Sequence, residues 1–312
     1  MQVSPAQITV RSPAKINLGL SVGAPRRDGF HPLATVYQAV ALYDDVTATA
    51  RDDLDITVEV VGDFADSVPA DESNLAVRAA RLLARTAKAE AGAHLVIRKT
   101  IPVAGGMAGG STDAAAALVA CNRLWDLKVG QAELQRIGAL LGSDVPFCLA
   151  GHTALGRGRG ELVTEVMCRG TFHWVFAIAD GGLSTPAVYA ELDRLRAQRR
   201  IPVDQPSVAP ELLAALVSGS PASLAVALSN EMQDAALSLR PELGDTLRYG
   251  LERGALAAMV AGSGPTCLFL AADSRSAVDL AVDLDTSGLC RMVRQAEGPV
   301  PGARVVGGQP TC

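Results

Sequence analysis

The chain has 312 residues, 49% hydrophobic and 20% charged, with a net charge of −5. That balance suits a globular protein with a sizeable core in two domains. It excludes the basic footprint of a nucleic-acid binder, no apolar run reaches the roughly 18 residues of a membrane span, and the first residues lack a secretory signal pattern.

Six cysteines are scattered with no C-x-x-C pair, and histidines 31, 94, 152 and 173 show no metal-ligand spacing. Both facts point away from zinc and disulfides and toward a reduced cytoplasm. Gln7 to Arg11 reads as a strand, and residues 12–22 alternate so that Lys15 and Asn17 share one side against Ile16, Leu18 and Leu20. A lysine there is either a solvated edge residue or a cation aimed at a ligand. Asp28-Gly29 is a turn dipeptide. Phe30 and His31 follow it, and a ring at such a tip either folds back on the core or meets a ligand. Strands are expected over 33–40, 45–50 and 53–61, then a helix from Asn74 to about Glu90 capped by Ser73.

His94 to Thr100 suits a strand, four glycines (105, 106, 109, 110) follow within six residues, and Asp113 opens an alanine-rich helix to about Trp125. Strand, glycine loop and helix N-terminus together make an anion site. Glycine permits close backbone approach, and Ser111 and Thr112 add hydroxyls suited to phosphate or magnesium. A Walker A loop would need lysine where Ser111 stands, and a Rossmann turn would need glycine where Met107 stands. A phosphate cradle here therefore needs a cation from elsewhere. The plain alternative is a helix packed tightly on a strand.

A helix over 131–141 stops at Gly142, and Asp144 after it is either a turn residue or a functional carboxylate. A glycine-punctuated turn over 151–160 precedes a strand over 161–167. A second unit starts with a buried strand over 172–179, followed by a helix from Ser184 or Thr185 to Arg200. A proline-rich connection leads to helices near 210–218, 221–239 and 241–253. Two strands then flank Gly262-Ser263-Gly264-Pro265, and a helix over 274–284 precedes a strand over 288–293. The expected domains are 1–167 and 168–296, with a loose Gly/Pro tail over 297–312.

Three separated pieces, Pro13-Ala14-Lys15-Ile16-Asn17-Leu18, the run from Pro102 to Ala115, and Gly262-Ser263-Gly264-Pro265-Thr266, resemble the three motifs of the GHMP kinase superfamily. Asp28-Gly29-Phe30-His31 and Gly142-Ser143-Asp144-Val145-Pro146-Phe147 resemble segments of its 4-diphosphocytidyl-2-C-methyl-D-erythritol kinase branch. The resemblance runs from Arg11 to Leu270. Departures are Ala108 for a usual glycine, Phe30 for tyrosine, Thr112 for serine, and Cys148 where an aromatic is common.

The resemblance implies an α+β, two-domain GHMP-kinase-like fold with the active site in the inter-domain cleft. It implies ATP-dependent phosphorylation of the 2-hydroxyl of the cytidyl substrate, with Mg2+, in the non-mevalonate isoprenoid pathway. The implied setting is the cytoplasm, as a monomer or weak homodimer, with no nucleic-acid or membrane partner. By resemblance Lys15 supplies the missing cation and Asp144 takes the hydroxyl proton. Asn74, Pro102, Val103, Ala104, Gly105, Gly106, Met107, Ala108, Gly109, Gly110, Ser111 and Thr112 hold ATP, with adenine near Asn74 and Ser111 the candidate Mg2+ ligand. Asn17, Thr185, Phe30, His31 and Tyr189 hold the substrate. Phe30 and His31 bind cytosine and Tyr189 closes over its other face. Mevalonate and homoserine kinases lack the D-G-F-H segment, and an inactive nucleotide-binding relative would lack Lys15 or Asp144.

Overall fold

Two stretches in which apolar residues largely alternate with polar or small ones open the chain. In the computed structural model, which describes residues 6–309, they form two strands longer than expected. β1 (Gln7–Val22) and β2 (Leu33–Arg51) each absorb what reads as two strands. Register shifts after Pro13 and after Asn17 let one pairing bend rather than break. β3 (Ile56–Gly62), α1 (Leu75–Ala87) and β4 (Gly92–Lys99) follow, with Asn74 rather than Ser73 as the cap of α1. Next come α2 (Gly109–Leu124), α3 (Gln131–Leu141) and a short α4 (Val145–Ala150). The expected turn over 151–160 is largely strand, forming a hairpin of β5 (Thr153–Gly158) and β6 (Leu162–Glu165). Its glycines mislead because Gly156 lies against Tyr37, where a Cβ would come within 2.4 Å of the ring.

The second half runs β7 (Phe172–Ile178), α5 (Thr185–Arg199), α6 (Pro210–Ser218), α7 (Pro221–Ala227), β8 (Ser229–Asn230) and α8 (Gln233–Leu239). It continues with α9 (Glu242–Glu252), β9 (Ala257–Val260), β10 (Cys267–Ala271), α10 (Ser274–Thr286), β11 (Met292–Gly298) and β12 (Arg304–Gln309). The helix expected over 221–239 is broken by β8. There Asn230 donates to the carbonyls of Val260 and Gly262, both at 2.8 Å, and accepts from Met232 N.

An eight-stranded sheet has the central order β12-β1-β2-β4-β3, with β5 on β2, β6 on β5 and β8 on β1. A four-stranded sheet has the order β11-β7-β10-β9. Alanines 114–117 let α2 approach the larger sheet closely, in a core with Ile8, Val10, Val46, Leu83 and Leu95. The two sheets meet through a second core in which Ile16, Leu18, Val36 and Val40 face Phe172, Trp174, Phe176 and Leu268. On the other face of β7, Val175 and Ala177 pack with Phe269, Leu247 and Leu280.

The tail expected to be loose is ordered over residues 297–309, and 310–312 lie outside the described residues. The strand expected over 288–293 lies at 292–298, and β12 pairs antiparallel with β1. Between them Ala303 N donates to Cys148 O at 2.9 Å, and Gly302 lies where a Cβ would come 2.5 Å from Leu149 O. The glycine-rich composition here permits close approach to α4, not freedom.

Candidate active site

α2 begins at Gly109, four residues before the expected Asp113, after Ala108 in the left-handed conformation at φ 62°. The first helical bond runs from Thr112 N to Ala108 O at 2.9 Å. The N–H groups of Gly109, Gly110 and Ser111 therefore have no acceptor within the helix, and all three residues line one cleft of about 770 Å³. The glycines divide the work. Gly106, at φ +77°, would place a Cβ 1.8 Å from Ala261 O, so the loop docks backbone to backbone on the Gly262-Ser263-Gly264 turn. A Cβ on Gly109 would come within 3.0 Å of Lys99 Nζ, whereas one on Gly110 would meet only the Leu75 side chain, at 4.0 Å. Tight packing is thus part of the loop's design, and an open anion site is the other part. The residues present fit a nucleotide's phosphates.

Beneath the loop lies a buried ion cluster. Lys99 Nζ donates to Asp44 Oδ2 at 2.5 Å and to Asp113 Oδ2 at 2.7 Å. Asp44 Oδ1 accepts from Thr100 N and Ile101 N at 2.6 and 2.9 Å, fixing the corner that leads into the loop. Burial holds the Asp113 carboxyl well above its ordinary range, with the charge of nearby Asp44 acting the same way and Lys99 opposing both. Asp113 is thus a buried partner of β4 rather than a helix opener.

Facing the loop across the cleft is Lys15, 6% exposed on a central strand, which removes the solvated-edge reading. Its Nζ stands 3.4 Å from Asp144 Oδ2 and donates to Asn17 Oδ1 at 3.1 Å, while its backbone N donates to Met107 O. Asn17 is anchored by Nδ2 to Thr35 Oγ1 at 2.8 Å. The Tyr37 hydroxyl donates to Asp144 Oδ1 at 3.2 Å, and the Lys15 ammonium lies 5.2 Å from the ring centroid. Burial, then the charge of Asp144, pushes the Tyr37 phenol well above its ordinary value, so it stays a neutral donor. Asp144 is thereby held from two sides and lines the cleft. Cys148 is buried behind it, its thiol pushed up to about 12 by burial, and is no nucleophile.

At the far end Phe30 is 51% exposed, which removes the folded-back-core reading, and the Arg159 guanidinium lies 5.0 Å from its ring centroid. Tyr189 does not stand opposite His31 across a gap. The two rings stack directly, with centroids 4.7 Å apart and planes 20° apart. His31 Nε2 lies 3.1 Å from both oxygens of Asp193. Thr185, Tyr189 and Asp193 recur every four residues, so one stripe of α5 faces the cleft while Val188, Leu192 and Leu195 face the core. Thr185 Oγ1 is 2.9 Å from Ser263 Oγ, joining α5 to the third motif.

The structure therefore gathers Lys15, Asn17, Phe30, His31, Asp144, Thr185 and Tyr189 with Pro102, Ala104, Gly105, Gly106, Ala108, Gly109, Gly110 and Ser111. Four expected residues stand outside this wall. Asn74 is buried, its side chain accepting from Ala76 N and donating to Pro69 O. Met107 is a core residue, and Thr112 Oγ1 donates to Pro13 O at 3.0 Å. Val103 is partly buried and does not line the cleft. Sequence reasoning missed Tyr37, Asp193, Asp44 and Lys99. An aromatic on a strand reads as core, and charged residues on strands or helices read as surface. Among the described residues no group of three His, Cys, Asp or Glu is placed to hold a metal, and no helix is long and apolar enough to cross a membrane.

Comparison with known proteins agrees with this geometry. Residues 74–152 match the GHMP kinases N terminal domain and residues 212–288 the GHMP kinases C terminal domain. The 4-diphosphocytidyl-2-C-methyl-D-erythritol kinase of Mycolicibacterium gilvum is 56% identical over 306 residues, covering 97% of this chain and 94% of that one. The protein of the same name from Streptomyces avermitilis is 56% identical over 299 residues, covering 96% and 99%. A crystal structure of a 4-(cytidine 5'-diphospho)-2C-methyl-D-erythritol kinase superposes with a TM-score of 0.75 at 28% identity, covering 93% of this chain and 98% of that one.

Proposed function

This chain belongs to the 4-diphosphocytidyl-2-C-methyl-D-erythritol kinase family of the GHMP kinases, and we propose on that premise that it transfers the γ-phosphoryl group of ATP to the 2-hydroxyl of that cytidyl substrate. The products are the 2-phosphate and ADP. The observation that carries the reading is the Lys15–Asp144 pair facing the free N-terminus of α2 across one cleft.

Phosphoryl transfer rests mainly on positioning and on stabilising charge. Gly109, Gly110 and Ser111 turn free N–H groups and the positive end of the helix dipole toward the phosphates. Asp144 accepts the proton of the substrate hydroxyl as that oxygen bonds to the γ-phosphorus and the bond from phosphorus to the ADP oxygen breaks. A positioned base is worth typically a hundredfold or more. Tyr37 and Lys15 keep the carboxylate aimed, and the Lys15 ammonium meets the charge on the transferred group. Ser111 and Asp144, both on the cleft wall, would hold Mg2+ beside the phosphates, where the ion would neutralise phosphate charge. The substrate's base is assigned to Phe30, His31 and Tyr189. The proposal includes a cytoplasmic setting in the non-mevalonate isoprenoid pathway.

An ADP-release assay with the cytidyl substrate, mevalonate and homoserine tests this reading. Turnover is expected with the cytidyl substrate alone. Lys15→Ala and Asp144→Asn should each lower kcat by at least ~100-fold, and the double variant should cost much less than the sum. Turnover of mevalonate or homoserine in place of the cytidyl substrate would sink the assignment.

A further inference from the structure

We propose that Asp193 is a positioning residue that sets which edge of a nucleobase the cleft accepts, by fixing the hydrogen-bonding state of His31. The proposal rests on the assignment of the base to Phe30, His31 and Tyr189.

Imidazole presents two nitrogens with opposite roles in its neutral form, one donor and one acceptor, and the partner of one decides the role of the other. His31 Nε2 lies 3.1 Å from both carboxylate oxygens of Asp193. A carboxylate only accepts, so in the neutral ring the N–H is on Nε2. Nδ1 is then an acceptor. Among the described residues it makes no hydrogen bond to the protein, although the His31 side chain is only 7% exposed. That exposure lies on the cleft wall, beside Phe30 and Arg159. The stack of Tyr189 on the ring fixes its plane. Tyr189 and Asp193 are one helical turn apart on α5, so a single element clamps the imidazole by face and by edge.

A fixed acceptor at that wall selects a base edge that carries an exocyclic amine. It opposes an edge with a carbonyl at the same place. Cytosine and uracil differ there, amine against carbonyl. Asp193 thus acts on specificity through His31, without touching the base. Removing Asp193 lets the proton move to Nδ1, which turns the acceptor into a donor and reverses the preference of the wall. Its own side chain, 37% exposed, otherwise reads as an ordinary surface charge.

The test compares kcat and KM for the cytidyl substrate and its uridyl analogue in the full-length protein. Asp193→Ala and Asp193→Asn are expected to lower the cytidyl-over-uridyl preference by about tenfold or more. The loss should appear in KM for the cytidyl substrate, with KM for ATP unmoved, and Asp193→Glu should restore part of it. His31→Ala should lose the preference as well. If His31→Ala loses the preference and the Asp193 variants keep it, the positioning role is wrong while the base assignment stands. If Phe30→Ala and His31→Ala both leave KM and preference intact, the base assignment itself fails. A measurement on the parent protein stands independently of any variant. Long-range nitrogen–proton NMR correlations of its four histidines should show His31 with the proton on Nε2 and Nδ1 bare. A proton resident on Nδ1 with Nε2 bare overturns the proposal.

Discussion

Gly106 and Gly110 sit in one loop and answer to different constraints. Gly106 cannot carry a Cβ, because Ala261 O occupies that place and the backbone is left-handed. Gly106→Ala should therefore destabilise the fold by at least ~1–2 kcal/mol, read as a fall in melting temperature. A Cβ on Gly110 would make only an ordinary contact, with Leu75 at 4.0 Å. Gly110→Val should leave melting nearly unchanged while weakening an ATP analogue by about tenfold, read by calorimetry. The opposite pattern, a stable Gly106→Ala and an unfolded Gly110→Val, would sink the division of roles. Gly109 belongs with Gly106, since Lys99 Nζ lies under it. Lys15 and Asp144 were legible because each stands in a motif whose chemistry needs it. Tyr37 and Asp193 were not, because their roles depend on partners 107 and 162 residues away.

At the scale of elements, the start of α2 is set by what lies beneath it. The sequence suggests Asp113 as the opening residue because the alanine-rich run starts there. In the fold its carboxylate points inward to Lys99, and the cap is made by the left-handed backbone of Ala108. No local pattern announces the cluster of Asp44, Lys99 and Asp113, which joins β2, β4 and α2. Lys99→Met would leave two buried carboxylates without their cation and should cost about 3–5 kcal/mol, measured by urea denaturation. Asp113 adds a pH signature. Its carboxyl is held above its unfolded value, so the folded state binds the extra proton, and this group's contribution is full below about pH 4 and lost as pH rises through the raised value. Asp113→Asn, which cannot ionise, should gain stability relative to the parent as pH rises above about 4. Parallel curves for the two proteins between pH 4 and 8 would refute it. The parts of β1 and β2 were legible as strands though not their joining, and α5 was legible from its Ser184 or Thr185 start. β5 and β8 were not, since glycine at 156 and 158 and a two-residue pairing carry no strand signal.

For the whole molecule, the second half of the chain repeatedly returns to β1. Gly19 and Leu20 pair with Ser229 and Asn230, and residues 7–11 pair with residues 304–309. The lysine motif therefore lies on a strand whose neighbours come from both ends of the described chain. A chain ending at residue 303 loses β12 and bares one edge of β1. Its melting temperature should fall by roughly 2–4 °C or more, and unchanged melting would show that β12 adds nothing. The same pairing has a consequence for the order of events during synthesis. A ribosome delivers β1 first and its last partner nearly three hundred residues later. At about 5–20 residues per second, that is a wait of some tens of seconds with one edge of β1 open. Such an edge is a template for wrong pairing. The first sheet can be completed only once residues 304–309 have emerged, however early its other strands meet.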